Sequence, residues 1–343
     1  MKWTISVKNS VVTIYDIAKR AGVGKSTVAN VLSGKGKVSE ATRQRVLEYA
    51  RELGYRPNFV ARTLSQHKTF TIALILPTIT NPFYPEIMEA IENIVREHEY
   101  QTLFCNTHRD FALGRQQMER LMSRWVDGYI IMGSSMDITD VTHCFRQGLP
   151  IVLCDWQENE SPGDIPRVSV DFYRAGQLAA EHLLKLGHRN TAIIYDAPQQ
   201  ALRLEGFRST LQAAGVPLPQ KWIRLGDSTL ESGYIAAKQL LAHPERPTAI
   251  FATTDWMALG ATEAILNEGL RIPQDISIIG LDDIIFSAHA RIPLTTIAIP
   301  KSQLAKEATE LLLAQIDGHD HAPISRSIEP YLVLRPSTAS PLP

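Results

Sequence analysis

Residues 13–30 read Thr13-Ile14-Tyr15-Asp16-Ile17-Ala18-Lys19-Arg20-Ala21-Gly22-Val23-Gly24-Lys25-Ser26-Thr27-Val28-Ala29-Asn30, and their periodicity predicts two short helices across a glycine turn. Thr13 is a capping residue with Asp16 three positions on, and Ile14, Ile17, Ala18 and Ala21 fall on one face. Gly22-Val23-Gly24 breaks the chain. A second helix follows from about Lys25 to Ser33, with Val28, Val31 and Leu32 inward and Gly34 as its stop. Ser39 opens a longer third helix whose apolar stripe is Val46, Tyr49, Ala50 and Leu53. Two short helices, a tight turn containing glycine and a bracing third helix make a helix-turn-helix.

Charge divides at the edge of this module. The chain of 343 residues has a net charge of −1, yet residues 1–68 hold 13 Lys+Arg against 4 Asp+Glu, and the remainder holds 22 against 32. A basic module on an acidic body fits a nucleic-acid binder, although charge alone also fits an arm for a membrane surface. Apolar runs such as Ile72–Leu76 are strand-sized, far below the ~20 residues of a membrane span. Met1–Lys8 has a positive start without an apolar core or cleavage site. Cys105, Cys144 and Cys154 are odd in number and lack a Cys-x-x-Cys pair, which reads as reduced, buried thiols of a cytoplasmic protein.

Beyond a linker from Tyr55 to Lys68, short apolar strands alternate with amphipathic helices. The strands expected are Thr71–Leu76, Thr102–Asn106, Tyr129–Met132, Ile151–Cys154, Thr191–Tyr195, Trp222–Leu225, Ala249–Ala252, Ser277–Ile279 and Tyr331–Leu334. Helical patterns such as Glu86–Glu97 and Ala175–Leu186 fill the gaps, which predicts parallel α/β sheets. The pattern restarts near Asp171, so the body reads as two doubly wound lobes with a ligand cleft beyond the carboxyl ends of the strands.

Several motifs resemble the LacI/GalR family of ligand-responsive bacterial repressors. In the first module they are Thr13–Ala18, Ala21-Gly22-Val23, Thr27-Val28, Val38-Ser39, Thr42-Arg43 and Leu53–Asn58. In the body they are Asn81-Pro82-Phe83, Val126-Asp127-Gly128, Gly187-His188-Arg189, Arg203–Phe207, Met257–Ala261 and Pro293–Ile297. The resemblance spans nearly the whole chain. It implies an all-α headpiece over 1–57, a hinge helix and linker over 58–69, and a periplasmic-binding-protein-like effector and dimerisation domain over 70–340. Within that domain the N-lobe is expected at about 70–168 and 300–328, and the C-lobe at about 169–299 and 329–340.

The resemblance also implies a homodimer on double-stranded operator DNA, with the second helix in the major groove and a small-molecule effector, sugar-like or another metabolite, in the cleft. DNA contacts then fall to Thr13, Lys25, Ser26, Thr27 and Asn30, and to Asn58, Ala61 and Leu64 of the hinge. Lys donates to guanine and Asn pairs with adenine, while Leu64 is either the minor-groove wedge or an interdomain packing residue. Gly24 and Ala29-Asn30 depart from the family's usual Ser and Ser-Arg. The effector side falls to Phe83, Tyr84, Asp155, Trp156, Arg203, Thr254 and Asp282. An arginine fork facing a carboxylate suits vicinal hydroxyls or the edge of a base. Helix capping or a structural ion pair remains the alternative for Arg203 and Asp282, and core packing for Trp156. Thr254-Asp255, Gly226-Asp227-Ser228 and Ile299 depart from common pocket residues, which argues against an unmodified monosaccharide cradle.

Two look-alikes fail on spacing. Gly24-Lys25-Ser26-Thr27 imitates the end of a phosphate-binding loop but has Lys19 where glycine is required and no preceding strand. His319-Asp320-His321 lacks a third metal ligand in range, and neither a nucleophile elbow nor GxGxxG is present, so no metal, cofactor or catalysis is expected. The rival readings, an exported solute-binding protein and a Rossmann-type enzyme, lack a signal sequence and a nucleotide fingerprint respectively. The C-terminal run Arg335–Pro343, rich in Pro and Ser, cannot form a leucine heptad helix, so a dimer is expected rather than a tetramer.

Overall fold

The computed structural model describes residues 12–32, 34, 36–55, 68–122, 126–133, 135–156, 163–196, 201–318 and 324–342. The chain separates into two compact units, Met1–Lys68 and Thr69–Pro343. Asn58, Ala61 and Leu64, the three hinge positions, lie outside the described residues, as does His319-Asp320-His321.

The first unit contains α1 (Ile14–Ala21), α2 (Lys25–Leu32) and α3 (Glu40–Glu52). At the start of α1 the Thr13 backbone N–H and hydroxyl both donate to Asp16 Oδ2 at 2.8 Å. These bonds draw the Asp16 carboxyl below its ordinary range. Gly22 then takes the left-handed conformation at φ 65°, which turns the chain toward α2. Ile17, Val28, Val31, Val46 and Ala50 close a small core shared by the three helices.

The second unit holds two six-stranded sheets. The first is built from β1 (Thr71–Leu76), β2 (Gln101–Asn106), β3 (Gly128–Met132), β4 (Ile151–Cys154), β5 (Arg167–Val170) and β11 (Ser325–Ile328), in the order β11-β5-β4-β3-β1-β2. The second is built from β6 (Thr191–Asp196), β7 (Ile223–Gly226), β8 (Ala249–Ala252), β9 (Ser277–Asp282), β10 (Thr295–Ala298) and β12 (Tyr331–Val333), in the order β12-β10-β9-β8-β6-β7. All pairings are parallel except β10 with β12. In chain order the helices are α4 (Phe83–Glu97), α5 (Phe111–Met122), α6 (Ile138–Arg146), α7 (Phe172–Lys185), α8 (Ala201–Ala213), α9 (Leu230–Leu241), α10 (Asp255–Asn267), α11 (Ile285–His289) and α12 (Lys301–Ile316).

Three strands depart from expectation. β5, β10 and β11 lie outside the expected strands, because Arg-Val-Ser-Val, Thr-Thr-Ile-Ala and Ser-Arg-Ser-Ile mix polar with apolar side chains, where expected four-residue strands such as Ile151–Cys154 and Ala249–Ala252 are apolar throughout. β5 pairs wholly within the first sheet, so the chain first crosses between lobes at Asp171 rather than after residue 168. The other crossings fall at Ile299-Pro300 and Glu329-Pro330. One apolar cluster, from Leu74 and Val152 to Phe207 and Phe251, runs through both lobes. Cys105 and Cys154 are buried free thiols, whereas Cys144 on α6 is only half-buried.

Gly176 on α7 and Gly206 on α8 face each other's helix backbone. A Cβ on Gly176 would lie 2.2 Å from the Arg203 carbonyl oxygen, and one on Gly206 would lie 2.0 Å from that of Tyr173. Only glycine permits this approach, which fixes α8 and thereby the base of the Arg203 side chain.

Candidate nucleic-acid interface and ligand cleft

Helix α2 buries Val28 and Val31 and turns Lys25, Ser26, Ala29 and Asn30 to solvent, with Thr27 half-buried. The exposed face is therefore polar over two turns, and its N-terminus meets that of α1. Lys25 Nζ sits 4.8 Å from the ring centroid of Tyr15, an exposed aromatic in the first turn of α1. Thr13, also exposed, caps that turn. Two helix N-termini, a lysine and hydroxyl groups together suit phosphate oxygens. Asn30 packs beside Gly36, where a Cβ would come within 3.0 Å of Asn30 Nδ2, so the loop after α2 helps orient its amide. Tyr15 was not singled out in the sequence; its signal is an aromatic at an outward position of a helix with an otherwise regular buried stripe.

The cleft residues come from strand ends. Phe83 and Tyr84 open α4 just after β1, with ring centroids 5.3 Å apart at 74°. The Tyr84 hydroxyl lies over Gly133, where a Cβ would come within 2.8 Å, so glycine makes room for it. Asp155 follows β4 at φ 55° and is buried, its N–H donating to Val168 O at 2.9 Å. From the other lobe come Arg203, in the first turn of α8, and Asp282, the last residue of β9. Both are buried.

Electrostatics tie Tyr84, Asp155, Arg203 and Asp282 together. Burial pushes the Tyr84 phenol above its ordinary range, and the Asp155 charge adds to the shift. Burial lowers the Arg203 pKa, opposed by Asp282 and Asp155. Burial likewise drives the Asp282 carboxyl well above its ordinary range, opposed by Arg203 and, more weakly, by Lys301. Arg203 Nη1 donates to Thr253 O at 2.6 Å, and its guanidinium lies 4.0 Å from the Phe172 ring centroid. Among the described residues, Asp282 Oδ2 is buried without a hydrogen-bond partner. The group offers a planar donor fork, carboxylate acceptors and a phenol, which is hydrogen-bonding equipment for a polar ring.

Not every candidate joins them. Trp156 packs with Ile131, Leu153 and Ile165 on the opposite face of the first sheet from the cluster that holds Phe83 and Tyr84. Thr254 is buried and caps α10, its hydroxyl oxygen accepting from Met257 N at 3.1 Å. Beside it, Asp255 accepts from Ser287 Oγ and Thr296 Oγ1 at 2.6 Å each and from Ile284 N at 3.0 Å. Burial still raises this carboxyl to about 6. It pins the loop that follows Asp282.

Lys301 was not recognised from sequence. Its Nζ donates to the backbone oxygens of Asp282 at 2.8 Å and Asp283 at 2.6 Å and lies 3.2 Å from Glu86 Oε2. Those two aspartates hold φ 124° and 53°, a backbone that side-chain-bearing residues rarely adopt. Lys301 is the first residue of α12, next to a lobe crossing, and only the fold brings it to the end of β9.

Residues 13–58 match the profile described as bacterial regulatory proteins, lacI family, and residues 180–338 match that of the periplasmic binding protein-like domain. The chain is 36% identical over 332 residues to the ribose operon repressor of Haemophilus influenzae, covering 96% of this chain and 99% of the relative. It superposes on a Lac repressor dimer bound to operator and the anti-inducer ONPF with TM-score 0.84, at 28% identity over 96% of this chain and 99% of that one. A LacI family regulator from Enterococcus faecium with bound ribose gives TM-score 0.71, at 32% identity over 79% of this chain and 99% of that one. With the helix-turn-helix unit, the paired sheets and the cleft in place, this chain belongs to the lacI family of bacterial regulatory proteins.

Proposed function

We propose that Phe83, Tyr84, Asp155, Arg203 and Asp282 hold a small polyhydroxylated effector between the lobes, and that Thr13, Lys25, Ser26, Thr27 and Asn30 contact operator DNA. The chain is a ligand-responsive, DNA-binding transcriptional regulator rather than an enzyme. What the proposal adds is the assignment of residues. The observation that carries it is the burial of Arg203 and Asp282, from separate elements, with the Asp282 carboxylate lacking a partner on one oxygen. A buried carboxylate in that condition is costly unless a ligand completes its hydrogen bonding. Trp156 and Thr254 act from behind this set, through packing and helix capping.

The working unit is a homodimer on a pseudo-palindromic site, one headpiece per half-site. In the hinge, Asn58, Ala61 and Leu64 take the contacts to the minor groove. A change in lobe closure on effector binding changes the order of that hinge, because a helix of seven or eight residues is too short to persist alone.

The test pairs two measurements on the full chain. Thermal-shift screening with ribose, other pentoses, hexoses and disaccharides finds the ligand, and calorimetry compares variants with the parent protein. Arg203→Ala and Asp282→Ala are each expected to lower effector affinity at least about tenfold, since each removes charge-assisted hydrogen bonds. Gel shifts on DNA flanking the coding region are expected to change little without effector. Unaltered effector affinity in both variants overturns the assignment.

A further inference from the structure

The three crossings between lobes, at Asp171, Ile299-Pro300 and Glu329-Pro330, follow or precede β5, β10, β11 and β12, which lie together at one edge of each sheet. At the opposite edge stand β2 in the first sheet and β6 and β7 in the second. From β5 to β2 is four strand spacings, about 19 Å at ~4.8 Å each. A rigid-body opening about the crossings therefore moves the β2 and β7 ends farthest.

A cross-lobe contact sits at that far edge. Arg109 follows β2, and its Nη1 lies 3.1 Å from Oδ2 of Asp196, the last residue of β6. The same nitrogen donates to the backbone oxygen of Asp227, just after β7. Ser228 Oγ donates to Asp196 Oδ2 at 2.7 Å, orienting the carboxylate. Both loops are built to present these groups. His108 and Arg109 hold φ 53° and 61°, and Ser228 holds 62°. The Arg109 N–H is anchored to Pro77 O at 3.1 Å, and the His108 N–H to Asn106 Oδ1 at 3.1 Å. Left-handed backbone at three side-chain-bearing residues is retained only where its surroundings compensate for it. The Arg109 field reaches Tyr84, and the Asp196 field reaches Arg203, so the contact borders the proposed effector group.

We propose that Arg109, joined to Asp196 and the Asp227 carbonyl, is a gating residue of the effector cleft, holding the mouth of the two lobes shut when no effector is bound. The inference rests on the reading of the cleft as the effector site only for its purpose; the closure itself needs no ligand. Its position farthest from the crossings gives one ion pair leverage that a contact near the hinge lacks. With the Arg109 side chain 40% exposed, the pair alone is modest, and the carbonyl hydrogen bond adds to it. Loss of the contact is expected to raise the open-to-closed ratio about three- to tenfold.

Electron–electron resonance on the ligand-free, full-length protein reads this ratio directly. Nitroxides are placed at Gln116→Cys on α5 and Glu231→Cys on α9, in a Cys144→Ser chain diluted with unlabelled chain so that one protomer per dimer carries both labels. The parent is expected to give one short distance, and R109Q to add a longer population. D196N is expected to shift the same way, and the double variant to open no further than R109Q alone. A parent-like distribution in R109Q, or additive opening in the double variant, overturns the proposal. Failure of the effector assignment shows separately, as unchanged ligand affinity in Arg203→Ala with the distance distributions intact.

Discussion

Asp282→Asn is expected to stabilise the ligand-free protein while impairing its response to effector. The carboxylate is buried, one oxygen lacks a partner among the described residues, and burial outweighs the attraction of Arg203 and Lys301. An unsatisfied buried polar group costs about 1–3 kcal/mol, and more when it is charged; Asn keeps the shape and removes the charge. Part of that gain is offset, because Arg203 loses one of its counter-charges, leaving about 1–2 kcal/mol. For domains of roughly this size each kcal/mol moves Tm by about 2–4 °C, so the sensor unit should melt about 2–8 °C higher. The gain depends on pH in a defined direction. Above about pH 4 the unfolded Asp282 ionises while the native one resists, so the parent loses stability as pH rises until the native group ionises too. The Asn variant lacks that loss, and its advantage is larger at pH 8 than at pH 5. Calorimetric melting at both values checks this. A lower Tm than the parent at pH 8, or the same difference at both pH values, refutes the claim that Asp282 is held at a cost for ligand binding.

Gly280→Ala should destabilise the second lobe by about 1–3 kcal/mol in urea unfolding, because its Cβ would lie 2.0 Å from Asp255 Oδ1 and 2.8 Å from Leu294 Cδ2. In the headpiece, Lys25→Ala should weaken operator binding and flatten its salt dependence by about one phosphate contact if Lys25 meets the backbone. Asn30→Ala should instead cost about 1–3 kcal/mol at its own base position and leave the salt slope unchanged; anisotropy titrations across salt concentrations separate the two. Leu64→Ala should weaken operator binding far more than binding to unrelated DNA, since a wedge acts only where the base step yields; equal losses on both DNAs would falsify the wedge role.

Much of the architecture was legible in the chain itself. The stripe Ile17, Ala18, Ala21, Val28 and Val31 became the headpiece core, because helix periodicity decides which face is buried before any partner is known. Apolar runs such as Thr71–Leu76 and Ile151–Cys154 became central strands, buried from both sides. Arg203 and Asp282 were visible as a donor and an acceptor in family motifs. Their positions come from tertiary contacts: Gly176 and Gly206 let α8 approach α7 in backbone contact and so place Arg203, while the pairing of β9 with β8 and β10 places Asp282. Tertiary structure alone decided the rest. Short polar strands such as Ser325–Ile328 carry no local pattern, and their pairing comes from a neighbour more than 150 residues away. Trp156 could read as cleft wall or core until the sheet face it packs on was known. Lys301, Arg109 and Asp196 are ordinary surface charges in the sequence. Their roles arise from hydrogen bonds spanning 18, 19 and 87 positions, which no local periodicity encodes and which exist only once two sheets stand with their strand ends opposed.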